Sequence, residues 1–139
     1  MEPHRHHVWA WEDLIKNQAK SRFRDWYDII SFDDPKTLED EFHFEGWLGV
    51  KTLPELKKVN VVGKRKGNAF EGDLHPEVKS NYINVTRRWL DPNGDGDPGD
   101  GVDGFRLDVA THVPLGFWRG YRKFVRGIND EALLLGEAW

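Results

Sequence analysis

Between Pro76 and Glu137 the hydrophobic pattern alternates between a helical and an extended period, and this alternation constrains the fold more than any other feature. Pro76 suits the first turn of a helix, and Val78, Tyr82, Val85 and Trp89 follow at helical spacing until Asp91-Pro92 stops it. An acidic glycine loop, Asp91 to Asp103, then leads into Gly104-Phe105-Arg106-Leu107-Asp108-Val109, a short strand. Phe117, Tyr121, Phe124, Val125 and Ile128 mark a second helix. Ala132 to Glu137 reads as a largely apolar strand of the kind buried on both faces. Helix, strand, helix, strand in this order implies a βαβ crossover with parallel strands.

The first half of the chain is less regular. Val8 to Gln18 reads as a helix with Trp11, Leu14 and Ile15 on one side, and Ser21 to Tyr27 as a basic-aromatic connector. From Asp28 to about Leu74 the periodicity breaks down under Gly46, Gly49, Gly63, Gly67 and Gly72, with Pro35 and Pro54. The expected organisation is therefore a helix and connector over 1–27, an irregular small domain over 28–75, and a regular α/β segment over 76–139.

Composition excludes several classes of function. A chain of 139 residues with 38% hydrophobic and 32% charged residues is globular rather than disordered. A net charge of −4 does not favour nucleic acid or an anionic membrane as partner, and the run Lys57, Lys58, Lys64, Arg65, Lys66 reads as a solvated face. No apolar run is long enough to span a bilayer. The opening residues lack the apolar core of a signal peptide, but in an internal piece this is uninformative, and cytoplasmic, periplasmic and secreted placements all stay open. Without cysteine there are no thiolate metal sites. The aromatic share is 13%, most of it expected in the core, and flat apolar rings are also what pyranose faces stack on.

Both predicted strands finish in an acid, Asp108 on the first and Glu137 on the second. In parallel α/β architectures chemistry gathers at the carboxyl ends of strands. Adjacent strands lie about 4.8 Å apart, so acids at one level bring their carboxyl groups to roughly 5 Å, the separation of a retaining glycosidase. Arg106, two residues before Asp108, projects to the same face and favours the ionised carboxylate. Glu137 follows a run of leucines, which should desolvate it and raise its pKa toward the working range of an acid. A strand-end carboxylate is also often a helix cap or a surface charge, so the spacing alone leaves both readings open.

Longer stretches carry a resemblance. DGFRLDVATH (Asp103 to His112) and LGEAW (Leu135 to Trp139) resemble the second and third conserved regions of the α-amylase family, glycoside hydrolase family thirteen. EGWLGVKTLPELKKVN (Glu45 to Asn60) resembles the domain inserted after the third barrel strand in the neopullulanase and cyclomaltodextrinase branch. Val8 to Trp26 is similar to the helix and connector that follow that strand. The resemblance implies an α/β fold that is part of a (β/α)₈ TIM barrel, about the third helix to the fifth strand, with an inserted irregular small domain. It implies Asp108 as nucleophile, Glu137 as general acid/base and Arg106 as the nucleophile's partner, with His112 and Trp139 on the substrate. Thr111, where many α-amylases have lysine, departs from the pattern beside His112. The implied substrate is an α-1,4-glucan: starch, maltodextrin, cyclodextrin or pullulan.

Two further conserved regions of the family, carrying a third carboxylate and two histidines, have no counterpart in the chain. It is therefore expected to be an internal piece that is inactive alone, and to rely on the remainder of the barrel or on self-association to cover its open strands.

Four minor features complete the reading. Asp91, Asn93, Asp95 and Asp97 fit the opening of a calcium loop, although Val102 stands where the closing glutamate would be. Calcium is thus the one cofactor considered, with a solvated acidic turn as the alternative; no organic cofactor is implied. Trp47 reads as a sugar platform or a core tryptophan. Trp89, Trp118 and Tyr121 read as packing, and His4, His6 and His7 as a solvated tail. Beside the hydrolase reading stand a catalytically silent carbohydrate-binding relative and a small calcium-binding α/β domain.

Overall fold

The structure, a computed structural model, describes residues 6–63 and 68–138. Two compact units divide it, Met1–Lys57 and Lys58–Trp139.

The first unit is built around α1, His6–Asn17, which buries Ala10 and Leu14 completely. Ile15, expected beside Leu14, instead faces solvent, because the buried stripe runs through Ala10 and Leu14 at i, i+4 spacing. Trp11 meets Tyr27 and Phe44 edge-on, with ring centroids 4.9 and 4.7 Å apart, a geometry that aligns positive ring edges with negative faces. The connector is held by Ser21, whose hydroxyl donates to Asp13 at 2.5 Å, and by the Tyr27 hydroxyl, which donates to the His7 carbonyl at 3.0 Å. Beyond it, β1 (Ile29–Ser31) and β2 (His43–Phe44) pair antiparallel with a shifted register. Asp28 and Glu55 N–H groups donate to the Glu55 and Glu45 carbonyls, both at 2.9 Å, tying the loops to this hairpin.

The second unit opens with an antiparallel hairpin, β3 (Lys58–Val62) and β4 (Glu71–Leu74). Gly72 lies at φ +136°, where an added Cβ would stand 3.0 Å from the Val59 carbonyl oxygen, so this position requires glycine. Next come α2 (Pro76–Leu90), β5 (Gly104–Leu107), α3 (Leu115–Ile128) and β6 (Leu133–Gly136). The predicted helix-strand-helix-strand order is present with its strands parallel.

The two helices form the core of this unit. α2 buries Val78, Thr86 and Leu90, and α3 buries Phe117, Tyr121 and Val125. Between them the Thr86 hydroxyl donates to the Tyr82 carbonyl at 2.8 Å and shares a hydrogen bond with the Tyr121 hydroxyl at 3.2 Å. Burial pushes the Tyr82 and Tyr121 phenols above their ordinary pKa. Trp89, read as packing, is 53% exposed: Leu90 takes the inward position at the end of α2 and rotates Trp89 away from the core. Trp118 and Tyr121 do pack, with centroids 5.8 Å apart.

α3 also covers one face of the β5–β6 pair, through an edge-on contact of Phe105 with Tyr121 at 6.1 Å. The other face is uncovered. Leu133 and Leu135 are 63% and 58% exposed, so the expectation of a strand buried on both sides fails for β6. The three sheets have two strands each, and no closed barrel exists among the described residues. No helix there is long and apolar enough to cross a membrane.

Candidate active site

β5 and β6 pair with Gly104 opposite Leu133, Phe105 opposite Leu134, Arg106 opposite Leu135 and Leu107 opposite Gly136. The ladder continues past the strand ends. The Glu137 N–H donates to the Leu107 carbonyl at 2.9 Å, and the Ala110 N–H donates to the Glu137 carbonyl at 2.8 Å. Asp108 and Glu137 thus leave adjacent strands at one level. Side chains alternate across a strand, so Asp108 shares its face with Arg106.

The guanidinium of Arg106 joins the two acids. Its Nη1 lies 2.9 Å from Asp108 Oδ1 and its Nη2 2.6 Å from Glu137 Oε1. The second oxygen of Glu137 is held separately, accepting from the Val109 N–H at 3.2 Å. The Asp108 side chain is 73% exposed and the Glu137 side chain 31%. One carboxylate is therefore open and faces the Arg106 cation; the other has both oxygens committed to donors. Such a pair can offer an oriented nucleophile beside a group that exchanges a proton.

Glu137 does not carry the raised pKa expected of it. The Val109 N–H holds its carboxyl below the usual carboxylate range against some desolvation, and contacts with Asp108 and Arg106 act in the same direction as Val109. The leucines before it do not bury it, because Leu133 and Leu135 face outward. A carboxyl with a depressed folded-state pKa stabilises the fold above its unfolded pKa, and that contribution is lost as pH falls through the folded value. Asp25 in the first unit is depressed likewise, first by its hydrogen bond from Lys57 at 3.1 Å. Thermal midpoints are expected to fall as the pH drops through the carboxylate range. Glu137→Gln is expected to shrink that fall, leaving the part due to Asp25; an unchanged pH dependence in Glu137→Gln would contradict the depressed pKa.

The chain was compared with known proteins. No protein-family model matches it. Neopullulanase 2 of Thermoactinomyces vulgaris is 32% identical over 130 residues, which cover 94% of this chain and 18% of that protein. A cyclomaltodextrinase of Geobacillus thermopakistaniensis is 30% identical over 92% of the chain and 18% of its own length. Among solved structures, the Nostoc punctiforme debranching enzyme superposes with a TM-score of 0.65 over 94% of the chain, at 28% identity. Over this stretch the chain is similar to glycoside hydrolases of the α-amylase family. It spans under a fifth of the length of these two curated relatives and 24% of the Nostoc enzyme. The cyclic α-maltosyl-(1→6)-maltose hydrolase of Arthrobacter globiformis, solved with maltose, superposes with a TM-score of 0.65 at 26% identity, over 94% of this chain.

The other predicted residues are spread out. His112 ends the short 3-10 turn Ala110–His112 directly after Asp108, at the same end of the sheet as the acids. Trp47 lies in a turn of the first unit, half-buried, its backbone N–H donating to the Leu53 carbonyl at 2.8 Å. Trp139 lies outside the described residues, as do His4 and the basic positions Lys64, Arg65 and Lys66.

Asp91, Asn93, Asp95 and Asp97 occupy the loop that enters β5 at the end opposite Asp108. Their side-chain oxygens accept backbone N–H groups of the loop itself: Gly94 on Asp91 at 2.8 Å, Asp95 on Asn93 at 2.9 Å, Asp97 on Asp95 at 2.8 Å and Gly99 on Asp97 at 2.9 Å. Among the described residues no cluster of three or more acidic or histidine side chains is arranged to hold a metal ion. The loop is braced by its own Asx turns.

Sequence reasoning missed Val109. A β-branched residue after an apolar strand reads as more strand, yet Val109 has φ 45° and ψ 47°. Nothing in the local sequence signals that conformation.

Proposed function

We propose that the chain is part of the catalytic domain of a retaining hydrolase that cleaves α-1,4-glucosidic bonds. The observation that carries this reading is the single guanidinium of Arg106 bonded to both Asp108 and Glu137 at the carboxyl end of a parallel strand pair. In the proposed reaction, an Asp108 carboxylate oxygen attacks the anomeric carbon while protonated Glu137 gives its proton to the departing glycosidic oxygen. The result is a covalent glycosyl ester on Asp108. Glu137, now a carboxylate, removes a proton from water, which displaces Asp108 and restores the original anomeric configuration. Both carboxyl groups lie within hydrogen-bond reach of one guanidinium at the same level of adjacent strands, an arrangement that suits the close spacing of a retaining pair.

The names of the relatives, neopullulanase and cyclomaltodextrinase, favour maltodextrin, cyclodextrin or pullulan as substrate. His112, Trp139 and Trp47 are the proposed sugar contacts. The exposed leucine face of β6 supports placing β5 and β6 as two strands of an incomplete (β/α)₈ barrel. Leu133 and Leu135 lie on the side of Arg106 and opposite α3, where further strands would close over them.

The test uses the full-length protein. Proton NMR of the first product released from a maltooligosaccharide is expected to show the α-anomer, and an α-glucosyl fluoride slowed by ring fluorination is expected to leave a glucosyl group on Asp108. A β-anomer first, or label on another residue, would overturn the mechanism. The 139-residue chain alone is expected to show no turnover of starch; a rate above buffer that Glu137→Gln abolishes would contradict that.

A further inference from the structure

The turn after Asp108 is bent in a way its sequence resists. Val109 sits in the left-handed region, φ 45° and ψ 47°, where a β-branched side chain is a conformational outlier. Such conformations persist only where their surroundings over-determine them. Here four hydrogen bonds do so. The Val109 carbonyl accepts the His112 N–H at 2.9 Å, and the Ala110 carbonyl accepts the Trp118 indole N–H at 2.8 Å. The Val109 N–H reaches Glu137 Oε2 at 3.2 Å and the Ala110 N–H reaches the Glu137 carbonyl at 2.8 Å. The packing is close as well: a Cβ added at Gly136 would stand 3.3 Å from the Ala110 Cβ.

We propose that Val109 is the positioning residue for Glu137, its left-handed backbone turning two successive N–H groups back onto the neighbouring strand, one to the carboxylate and one to the carbonyl. An extended Val109 would continue the parallel ladder, whose register directs its N–H to the Glu137 carbonyl rather than to the carboxylate. The two donors on the carboxylate differ in kind. The Arg106 side chain on Oε1 can swing and also serves Asp108, whereas the backbone amide on Oε2 is fixed by the turn. Oε2 is therefore the anchored oxygen, and Oε1 is the one that carries and exchanges the proton once Arg106 lets go. Among the described residues, the charged groups that act on this carboxyl are Arg106 and Asp108, both on the β5 side, and His112, whose backbone N–H donates to the Val109 carbonyl, is the titratable group of the turn itself. The inference rests on reading Glu137 as the acid/base.

The first test is an amide titration in the ¹⁵N-labelled full-length protein. The Val109 amide proton is expected to show the largest pH-dependent shift of residues 104–115, with the midpoint of Glu137, and to lose it in Glu137→Gln. A pH-insensitive Val109 amide would overturn the proposal. In the full-length protein, Val109→Gly, which keeps the N–H and tolerates φ > 0, is expected to keep the alkaline limb of kcat/KM in place. A Val109→Gly limb displaced upward would overturn the assignment to the backbone. Val109→Pro, which has no N–H and a φ near −65°, is expected to move that limb to higher pH and lower kcat roughly a hundredfold with KM little changed. A uniform loss at every pH would indicate a structural role only. Should Val109→Pro fail to fold, the titration still decides. Full activity in Glu137→Gln would remove the acid/base reading while leaving the amide contact to be judged by its titration.

Discussion

Asp108→Asn in the full-length protein is expected to lower kcat by roughly 10⁴-fold or more while KM moves by a small factor. An amide oxygen does not form the glycosyl ester, so the two-step route closes and only binding and transition-state electrostatics remain. The loss should be chemical rather than structural. The Asp108 side chain is 73% exposed and its partner Arg106 keeps Glu137, so the thermal midpoint should barely change. A small nucleophilic anion such as azide, occupying the space of the missing carboxylate, is expected to restore turnover and give an inverted glycosyl azide. Glu137→Gln should behave differently. Its loss should be large on natural glucans, where the departing oxygen needs a proton, and much smaller on a glucosyl fluoride, which leaves with little help. If Asp108→Asn retained more than a tenth of native kcat, the assignment of the nucleophile would be wrong.

The largest expected structural effect lies at the other end of the same strand. Gly104→Ala is expected to cost about 3 kcal/mol or more and to take the site with it. An added Cβ at Gly104 would press on the Leu133 carbonyl oxygen and stand 2.7 Å from the Leu133 nitrogen and 2.8 Å from its carbonyl carbon. All three atoms are backbone, so no rotamer change relieves the contact. The N–H of that same Leu133 donates to the Asp103 carbonyl at 2.9 Å, and this bond begins the pairing of β6 with β5. Gly127→Ala in α3 is the matched control, since nothing lies within 4 Å of its added Cβ. It is expected to be neutral or to stabilise by up to about 1 kcal/mol through helix propensity. Urea unfolding of the two variants measures both; native-like stability in Gly104→Ala would mean that the strands are not paired in this register.

The parts of the fold that were legible in the sequence are those where period and chemistry agree. Pro76 at a helix start, Phe117, Tyr121 and Val125 at helical spacing, and acids at both strand ends all stand where the pattern placed them. The errors concern direction. Val78, Tyr82, Val85 and Trp89 fit a helical stripe, but the helix turns on Val78, Thr86 and Leu90, because a threonine that bonds its own helix and Tyr121 can face inward. Burial of the leucines before Glu137 depends on which strands lie beside them, which no local pattern contains. The pKa of Glu137 depends on an amide donor from a different strand, delivered by a backbone turn that valine ordinarily avoids. Both are tertiary facts overriding local propensity.

The pairing of β5 with β6 has a consequence for how such a sequence can vary in length. Pairing advances by whole residues, and one step turns every side chain to the opposite side of the sheet. Between Gly104 and Asp108, or between Leu133 and Glu137, adding or deleting a single residue does not adjust the spacing of the acids; it sends one of them to the side covered by α3. The loop 91–102 and the turn at Asn129–Asp130 lie outside the ladder and can change length without touching it. Descendants of this sequence can therefore drift freely in those two places, while its chemistry is inherited whole or lost at a stroke.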